Sequence, residues 1–236
     1  MTVLLVLFTL ILFLVFDHFV QRFRLRPLKS VQESMERGKF SMHTSFDFPG
    51  DVSLATNHMW LRNNLDGTVT VGVDEFLSRL VGALEEISLP RSGDPVVPAT
   101  ADIGVRSQRR VLRLATPLTG DVVASNVEVL QNPSLVLSDP YGKGWLMRVR
   151  PNAHAAEKVG DFLVGRPVEW IKEQIALVRD FLATSSQHGQ SLVLQEGGLP
   201  LEGVLQQFDE DVWKNFGHSF ASLHKIKNTN PVEAGL

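Results

Sequence analysis

The middle of the chain alternates polar and apolar positions in the manner of short β-strands separated by turns. Residues 58–62 predict a half-buried strand, and the turn-forming run 63–67 and the β-branched run 68–73 then predict a hairpin. Apolar positions at helical spacing after Asp74 predict a helix that this residue caps. Further short apolar runs, separated by Gly and Pro, occupy residues 87–89, 96–97, 103–105, 111–114 and 121–127. Many short strands of this kind predict a β sandwich or a flattened barrel.

The start of the chain has a different pattern, because residues 3–20 are almost entirely apolar. A run of this length lies near the lower limit for spanning a bilayer. No Lys or Arg precedes it and no small-x-small cleavage motif follows it, so we predict an uncleaved transmembrane helix over residues 1–21. The cations that follow are Arg22, Arg24, Arg26 and Lys29. Because cationic flanks stay in the cytoplasm, we expect a single-pass protein of a bacterial inner membrane, with its N-terminus outside and its body in the cytoplasm.

The pattern after Pro151 becomes helical. A short helix is predicted over 155–163, a longer one from Pro167, and a last one capped by Asp209 or Asp211. These helices carry five large aromatic side chains, namely Trp170, Phe181, Trp213, Phe216 and Phe220. Two interpretations remain open, since the helices either cover the β domain or offer a docking surface. The predicted organisation is an anchor at 1–21, a juxtamembrane segment at 22–56, a β domain at 57–151, a helical extension at 152–227 and a tail at 228–236.

Composition excludes several classes of function. The formal net charge is −3, so the overall charge suggests no nucleic-acid partner. The chain has no cysteine, which excludes disulfides, cysteine-ligated zinc and iron–sulfur ligation. The seven histidines lack the spacing of metal ligands, and no nucleophile elbow, P-loop or dinucleotide-binding turn is present. We therefore predict neither catalytic residues nor a metal site, and not an enzyme.

Four segments of the predicted β domain resemble the glycine cleavage system H protein family. They are Asp66–Val73, Ile87–Asp94, Thr116–Val123 and Asp139–Leu146. The last contains D-P-Y-G-K-G-W and is the most specific match. The resemblance covers about 95 residues and implies a mainly β hammerhead of the lipoyl/biotinyl type, here with one N-terminal transmembrane helix and added C-terminal helices. It also implies a carrier that holds lipoate on a lysine at a hairpin tip.

The tip of that hairpin departs from the family pattern. The family motif is close to E-S-V-K, and it falls here on Arg106-Ser107-Gln108-Arg109, which puts Arg109 in the place of the lysine. No lysine occurs between Lys39 and Lys143. Lipoylation needs an amine that loses its proton and forms an amide, whereas a guanidinium stays protonated. We therefore expect no lipoate on this chain and no other cofactor.

A basic cluster surrounds the same tip and consists of Arg106, Arg109, Arg110 and Arg113. Counting alternate positions along the chain puts Arg109 with Arg113 and Arg106 with Arg110. One interpretation is a surface for an anionic partner, such as an acidic protein, a phosphate or an anionic lipid. The other is a solvated hairpin edge whose charge discourages association.

Together these patterns predict a non-catalytic, non-lipoylated accessory or scaffold subunit of a bacterial membrane protein complex. A respiratory or electron-transfer complex is one such setting, and it rests on the predicted anchor alone. The expected partners are the lipid bilayer and other protein subunits, and no nucleic acid. Two alternatives remain, namely an H-type carrier in glycine decarboxylation and a decoy that regulates lipoate-handling enzymes.

Overall fold

The computed structural model describes Phe46, residues 48–98, Thr100, and residues 102–152, 159–185 and 202–224. All of these belong to a compact unit that begins at Thr44. The predicted anchor at 1–21 and the cations that follow it lie outside the described residues. Within the described ranges, no helix has the length and apolar character needed to cross a membrane.

Nine strands form two antiparallel sheets in the described part of the chain. The larger sheet has the order β1-β2-β3-β9-β8-β5, and the smaller one has the order β4-β6-β7. The strands are β1 Ser53–Leu54, β2 Met59–Asn63, β3 Val69–Val73, β4 Glu86–Ser88, β5 Pro95–Val96, β6 Ile103–Ser107, β7 Arg110–Leu114, β8 Gly120–Ser125 and β9 Met147–Pro151. Apolar side chains of both sheets meet in one hydrophobic core, as the sequence pattern predicted.

Five α-helices and two 3₁₀ turns complete the described structure. The helices are α1 Glu75–Val81, α2 Val127–Gln131, α3 Leu135–Ser138, α4 Pro167–Ser185 and α5 Glu210–Phe220, and the 3₁₀ turns are Gly160–Phe162 and Val204–Gln207. Helices α2 and α3 were not predicted, because a helix of about one turn is too short to show a 3.6-residue period.

The predicted helix starts are confirmed by their caps. Asp74 accepts a hydrogen bond from the backbone N–H of Leu77 at 2.8 Å. Asp209, rather than Asp211, caps α5 by accepting from the N–H of Val212 at 2.9 Å. Pro167 is the first residue of α4, where its missing N–H costs nothing.

The prediction of a half-buried strand at 58–62 is wrong in detail. Met59, Trp60 and Leu61 are all buried, so this strand is covered on both faces. The indole of Trp60 lies over Gly72 of the neighbouring strand, where any Cβ would collide with it, and it donates to the carbonyl of Pro140 at 3.1 Å. His58 is outside the strand and has a left-handed backbone, with φ of 63°.

The aromatic side chains of the C-terminal helices point into the protein. Trp213, Phe216 and Phe220 are buried, and Trp170 and Phe181 are partly buried against the core. The ring centroids of Phe216 and Phe220 are 4.9 Å apart, and Phe181 packs edge-on against both. The structure therefore favours the interpretation in which these helices cover the β domain.

Candidate functional site

The site predicted from the sequence is the tip of the β6–β7 hairpin, and the structure places it there. Ser107 pairs with Arg110, so Gln108 and Arg109 form a two-residue turn between the strands. Gln108 has a left-handed backbone with φ of 55°, as tight hairpin turns require. Both turn residues are exposed, and Arg109 therefore stands in solvent at the most projecting point of the hairpin.

Ser107 anchors the base of this tip. Its side chain is fully buried, and its hydroxyl donates to the carbonyl of Ala83 at 2.7 Å. The amide Nε2 of Gln206 donates to the same hydroxyl at 2.9 Å and to the carbonyl of Val81 at 3.0 Å. Hydrogen bonds thus connect the base of the tip both to the loop after α1 and to a residue about a hundred positions further along the chain.

Gln206 belongs to residues 202–224, a segment that we call the C-terminal clamp. The N–H of Gly203 donates to the carbonyl of Arg79 at 2.7 Å, at the C-terminal end of α1. The indole of Trp213 donates to the carbonyl of Leu205 at 2.6 Å, which joins α5 to the 3₁₀ turn. A Cβ on Gly217 would lie 3.0 Å from Cδ1 of Leu112, so α5 packs closely on β7. The clamp therefore rests on both α1 and the hairpin.

The four arginines of the predicted basic cluster do not act as one patch. Arg110 turns toward the clamp, donating to the carbonyl of Gln206 at 3.2 Å, and its guanidinium lies 5.8 Å from the ring of Trp213. Arg106 forms an ion pair with Glu86 of the adjacent strand β4. Arg109 and Arg113 are exposed, and neither has a hydrogen-bond or ion-pair partner among the described residues.

The expectation that Arg106 and Arg110 share a face is wrong. Arg106 lies opposite Val111, and Arg113 lies opposite Gly104, on the outward face of the small sheet. Ser107, Arg110 and Leu112 lie on the other face, toward the clamp. Arg106 therefore shares a face with Arg113, and Arg110 does not. The reason is the two-residue turn, which pairs odd-numbered positions of one strand with even-numbered positions of the other.

The lysines in the described ranges lie outside the β6–β7 hairpin and its tip. Lys143 lies in the loop before β9 and Lys172 lies on α4, both exposed. Lys214 follows Trp213 on α5 and is 3.0 Å from Glu210. The hydrogen bond that the Lys214 amine donates to that carboxylate, reinforced by the carboxylate's charge, raises the pKa of Lys214 above the ordinary value. None of these three lysines belongs to the β6–β7 hairpin.

A buried His–Asp pair joins the start of β2 to the start of α1. Nδ1 of His58 lies 2.8 Å from Oδ2 of Asp74, and both side chains are fully buried. The imidazole is held between the rings of Phe76, at 5.1 Å, and Trp170, at 4.7 Å. The carboxylate also caps α1, so the pair orients two elements and has no opening to solvent. We assign it a structural role.

The loop that carries D-P-Y-G-K-G-W is also a packing element. The carbonyl of Tyr141 accepts from Arg62 at 2.9 Å, and the N–H of Glu75 donates to the Tyr141 hydroxyl at 3.3 Å. Burial raises the pKa of this phenol far above its usual range, and the nearby Asp74 carboxylate adds to the effect. Asp139 accepts from the N–H of Lys143 at 2.8 Å and closes the loop. These contacts explain why the motif needs these residue types.

No group of three His, Cys, Asp or Glu side chains able to hold a metal ion occurs within the ranges that the structure describes. Sequence reasoning missed Gln206 and Trp213 as parts of the tip, because no local pattern connects them to a hairpin so distant in the chain. The helical spacing of the aromatic residues of α5 was visible in the sequence, but the packing of this helix on β7 was not.

Two antiparallel sheets, a projecting hairpin and the packed 139–145 loop define a β-rich domain of the lipoyl type with added C-terminal helices. The family model described as Glycine cleavage H-protein matches residues 52–167. The chain belongs to the glycine cleavage H-protein family.

Two relatives of similar sequence support this assignment over most of their own length. The glycine cleavage system H protein of Idiomarina loihiensis is 36% identical over 104 residues, which are 44% of this chain and 81% of that protein. The H protein of Mycolicibacterium vanbaalenii is 34% identical over 111 residues, which are 47% of this chain and 85% of that protein. The crystal structure of an H protein from Mycobacterium marinum is 30% identical, covers 48% of this chain and 96% of its own, and has a TM-score of 0.42.

The lipoyl group that this family implies does not fit the tip of this hairpin. The projecting side chain is the guanidinium of Arg109, which keeps its proton and does not form an amide. The neighbouring polar groups, Ser107 and Arg110, are engaged with the loop after α1 and with the clamp. The residues of the tip therefore fold as a carrier hairpin but lack the attachment chemistry.

Proposed function

We propose that this chain is an H-protein-like protein that carries no lipoate and works by binding, as a non-catalytic accessory subunit of a membrane protein complex. The observation that carries the proposal is Arg109 at the exposed tip of the β6–β7 hairpin. A chain that keeps this scaffold and its projecting tip, without an acylatable amine, retains a surface for partners while losing group transfer.

The membrane part of the proposal rests on the sequence. The apolar run at 3–20 and the cations after it support an anchor in a bacterial inner membrane with the body in the cytoplasm. Extraction in mild detergent followed by blue native electrophoresis tests the complex. We expect migration as an assembly larger than the chain alone, and a monomer without partners contradicts the proposal.

Intact-mass spectrometry of the protein from its native host tests the absence of lipoate. We expect the mass of the unmodified chain, while an authentic H protein from the same cells, measured in the same way, shows the lipoyl increment. A lipoyl adduct on any lysine of this chain refutes the proposal. Peptide mapping would then locate the modified residue.

The names of the relatives favour a second candidate, an H-type carrier in glycine decarboxylation. Because position 109 is an arginine, such a carrier would need lipoate on a lysine elsewhere in the chain. Among the described lysines, Lys214 lies on the helix that packs on β7, where its amine is 3.0 Å from Glu210. The same mass measurement decides between the two candidates.

A further inference from the structure

The clamp covers one face of the β6–β7 hairpin and leaves the other face exposed. Ser107, Arg110 and Leu112 face the clamp and the loop after α1, and residues 202–224 bury Ser107 and Leu112 and leave Arg110 only partly exposed. The opposite face of the small sheet carries Arg106, Val111 and Arg113. This face and the exposed tip residue Arg109 form a continuous surface, which we call the outward face.

Charge on the outward face is unbalanced. Arg106 is paired with Glu86, and both side chains remain about half exposed, at 44% and 56%. Arg113 lies opposite Gly104, which has no side chain to pair with it. Arg109 and Arg113 thus keep two positive charges without a counter-ion among the described residues, in a chain whose formal net charge is −3. A surface patch opposite in sign to the molecule as a whole favours association with an oppositely charged partner.

The neighbours of these charges indicate what kind of anion fits. Val111 lies between the turn residue Arg109 and Arg113 of β7 in the sequence and is 49% exposed, so an apolar side chain separates the two cations along the chain. Glu86 places a carboxylate within the same face. That carboxylate is paired with Arg106, so Arg109 and Arg113 are the cations left for a partner, and a protein segment supplies carboxylates for them and an apolar side chain for Val111 in one ligand. Guanidinium groups bind carboxylates through paired hydrogen bonds, which adds geometric selectivity.

We propose that the outward face, with Arg109 and Arg113 as its free cations and Val111 between them, is the docking surface for an acidic segment of a partner protein. This inference deepens the proposed function, since it names the chemistry of the partner. Arg109 and Arg113 pair with carboxylates of the segment, and Val111 contacts an apolar side chain between them.

The test uses the full-length chain in zwitterionic lipid nanodiscs and a short fluorescein-labelled peptide of alternating Glu and Val. Fluorescence anisotropy gives the dissociation constant as a function of salt. The double variant Arg109→Glu/Arg113→Glu removes the free cations. The matched control is Arg91→Glu/Arg166→Glu, which makes the same change of net charge at two exposed arginines elsewhere. Circular dichroism confirms that both variants are folded.

We expect the first variant to weaken peptide binding by about tenfold or more and the control to change it by less than about threefold. Equal losses in both variants, or no binding by the unaltered chain, overturn the proposal. Co-flotation with phosphatidylglycerol vesicles, dependent on Arg109 and Arg113 and without peptide binding, also overturns it in favour of lipid. An intact mass is recorded on the same sample. A lipoyl adduct with peptide binding retained refutes the proposed function alone, and an unmodified chain without peptide binding refutes this inference alone.

Discussion

Replacing Gly82 with alanine tests how firmly the clamp is held on the H-protein domain. Gly82 follows α1 with φ of 75° and ψ of −145°, a region open essentially to glycine alone. A Cβ at this position would lie 2.5 Å from Cα of Gly203 and 2.9 Å from Nε2 of Gln206. The first of these contacts is with backbone, so the clamp has to move to accommodate the methyl group.

The expected cost has two parts. The backbone conformation of Gly82 costs an alanine about 1–3 kcal/mol. Moving the clamp also weakens the hydrogen bonds from Gly203 to Arg79 and from Gln206 to Val81 and Ser107, each worth about 1 kcal/mol. We therefore expect Gly82→Ala to lower the free energy of unfolding by about 3–5 kcal/mol. Equilibrium urea unfolding followed by tryptophan fluorescence measures it, since Trp213 lies in the clamp.

Gly67 supplies the matched control. Its φ of 77° is nearly the same, but a Cβ there meets nothing within 4 Å. Gly67→Ala should therefore cost only about 1–2 kcal/mol of backbone strain. A double-mutant cycle with Gln206→Ala isolates the contact with the clamp, and we expect Gly82→Ala to couple with it while Gly67→Ala is additive. Equal costs for the two glycine variants, together with no coupling, would refute the reasoning.

Two further predictions concern the clamp and the 139–145 loop. Phe216→Ala, at a fully buried ring that packs on Phe181 and Phe220, should lower the free energy of unfolding by about 3–5 kcal/mol in the same urea assay, whereas Leu177→Ala at a half-exposed position should change it by about 0.5 kcal/mol or less. Tyr141 is the single tyrosine, and because its folded pKa is raised above the unfolded value of 10.0, its contribution to stability should be complete below pH 10 and be lost as the pH rises further. Near-UV absorbance should show no tyrosinate in the folded chain near pH 10, and a normal titration there would contradict the burial.

Local signals accounted for much of the fold. Asp74 and Asp209 were recognisable as caps, because a carboxylate before an apolar helical period satisfies free backbone N–H groups. The D-P-Y-G-K-G-W run was recognisable as a family signature, and the structure shows what it holds together. Arg109 was placed at the tip by counting from that resemblance, and the two-residue turn bears this out.

Contacts between residues far apart in the chain could not be predicted from the sequence pattern. Gln206 and Ser107 are far apart in the chain, and a glutamine in a short turn carries no sign of the hydroxyl it will bind. The faces of the arginines depended on the length of the turn, since a change of one residue in register moves every side chain to the other face. The burial of β2 on both faces, by contrast, had a local signal, because Met59, Trp60 and Leu61 are three consecutive apolar residues.

Two independent features of this chain change the tip in the same direction. One is chemical, since the exposed tip residue is Arg109, whose guanidinium does not form amides. The other is steric, because the clamp holds Ser107 and Arg110, which precede and follow the two-residue turn. The clamp begins at residue 202, and the family match ends at residue 167. A carrier hairpin has to be approachable by the enzymes it serves, whereas a hairpin braced on one face and charged on the other suits a fixed contact.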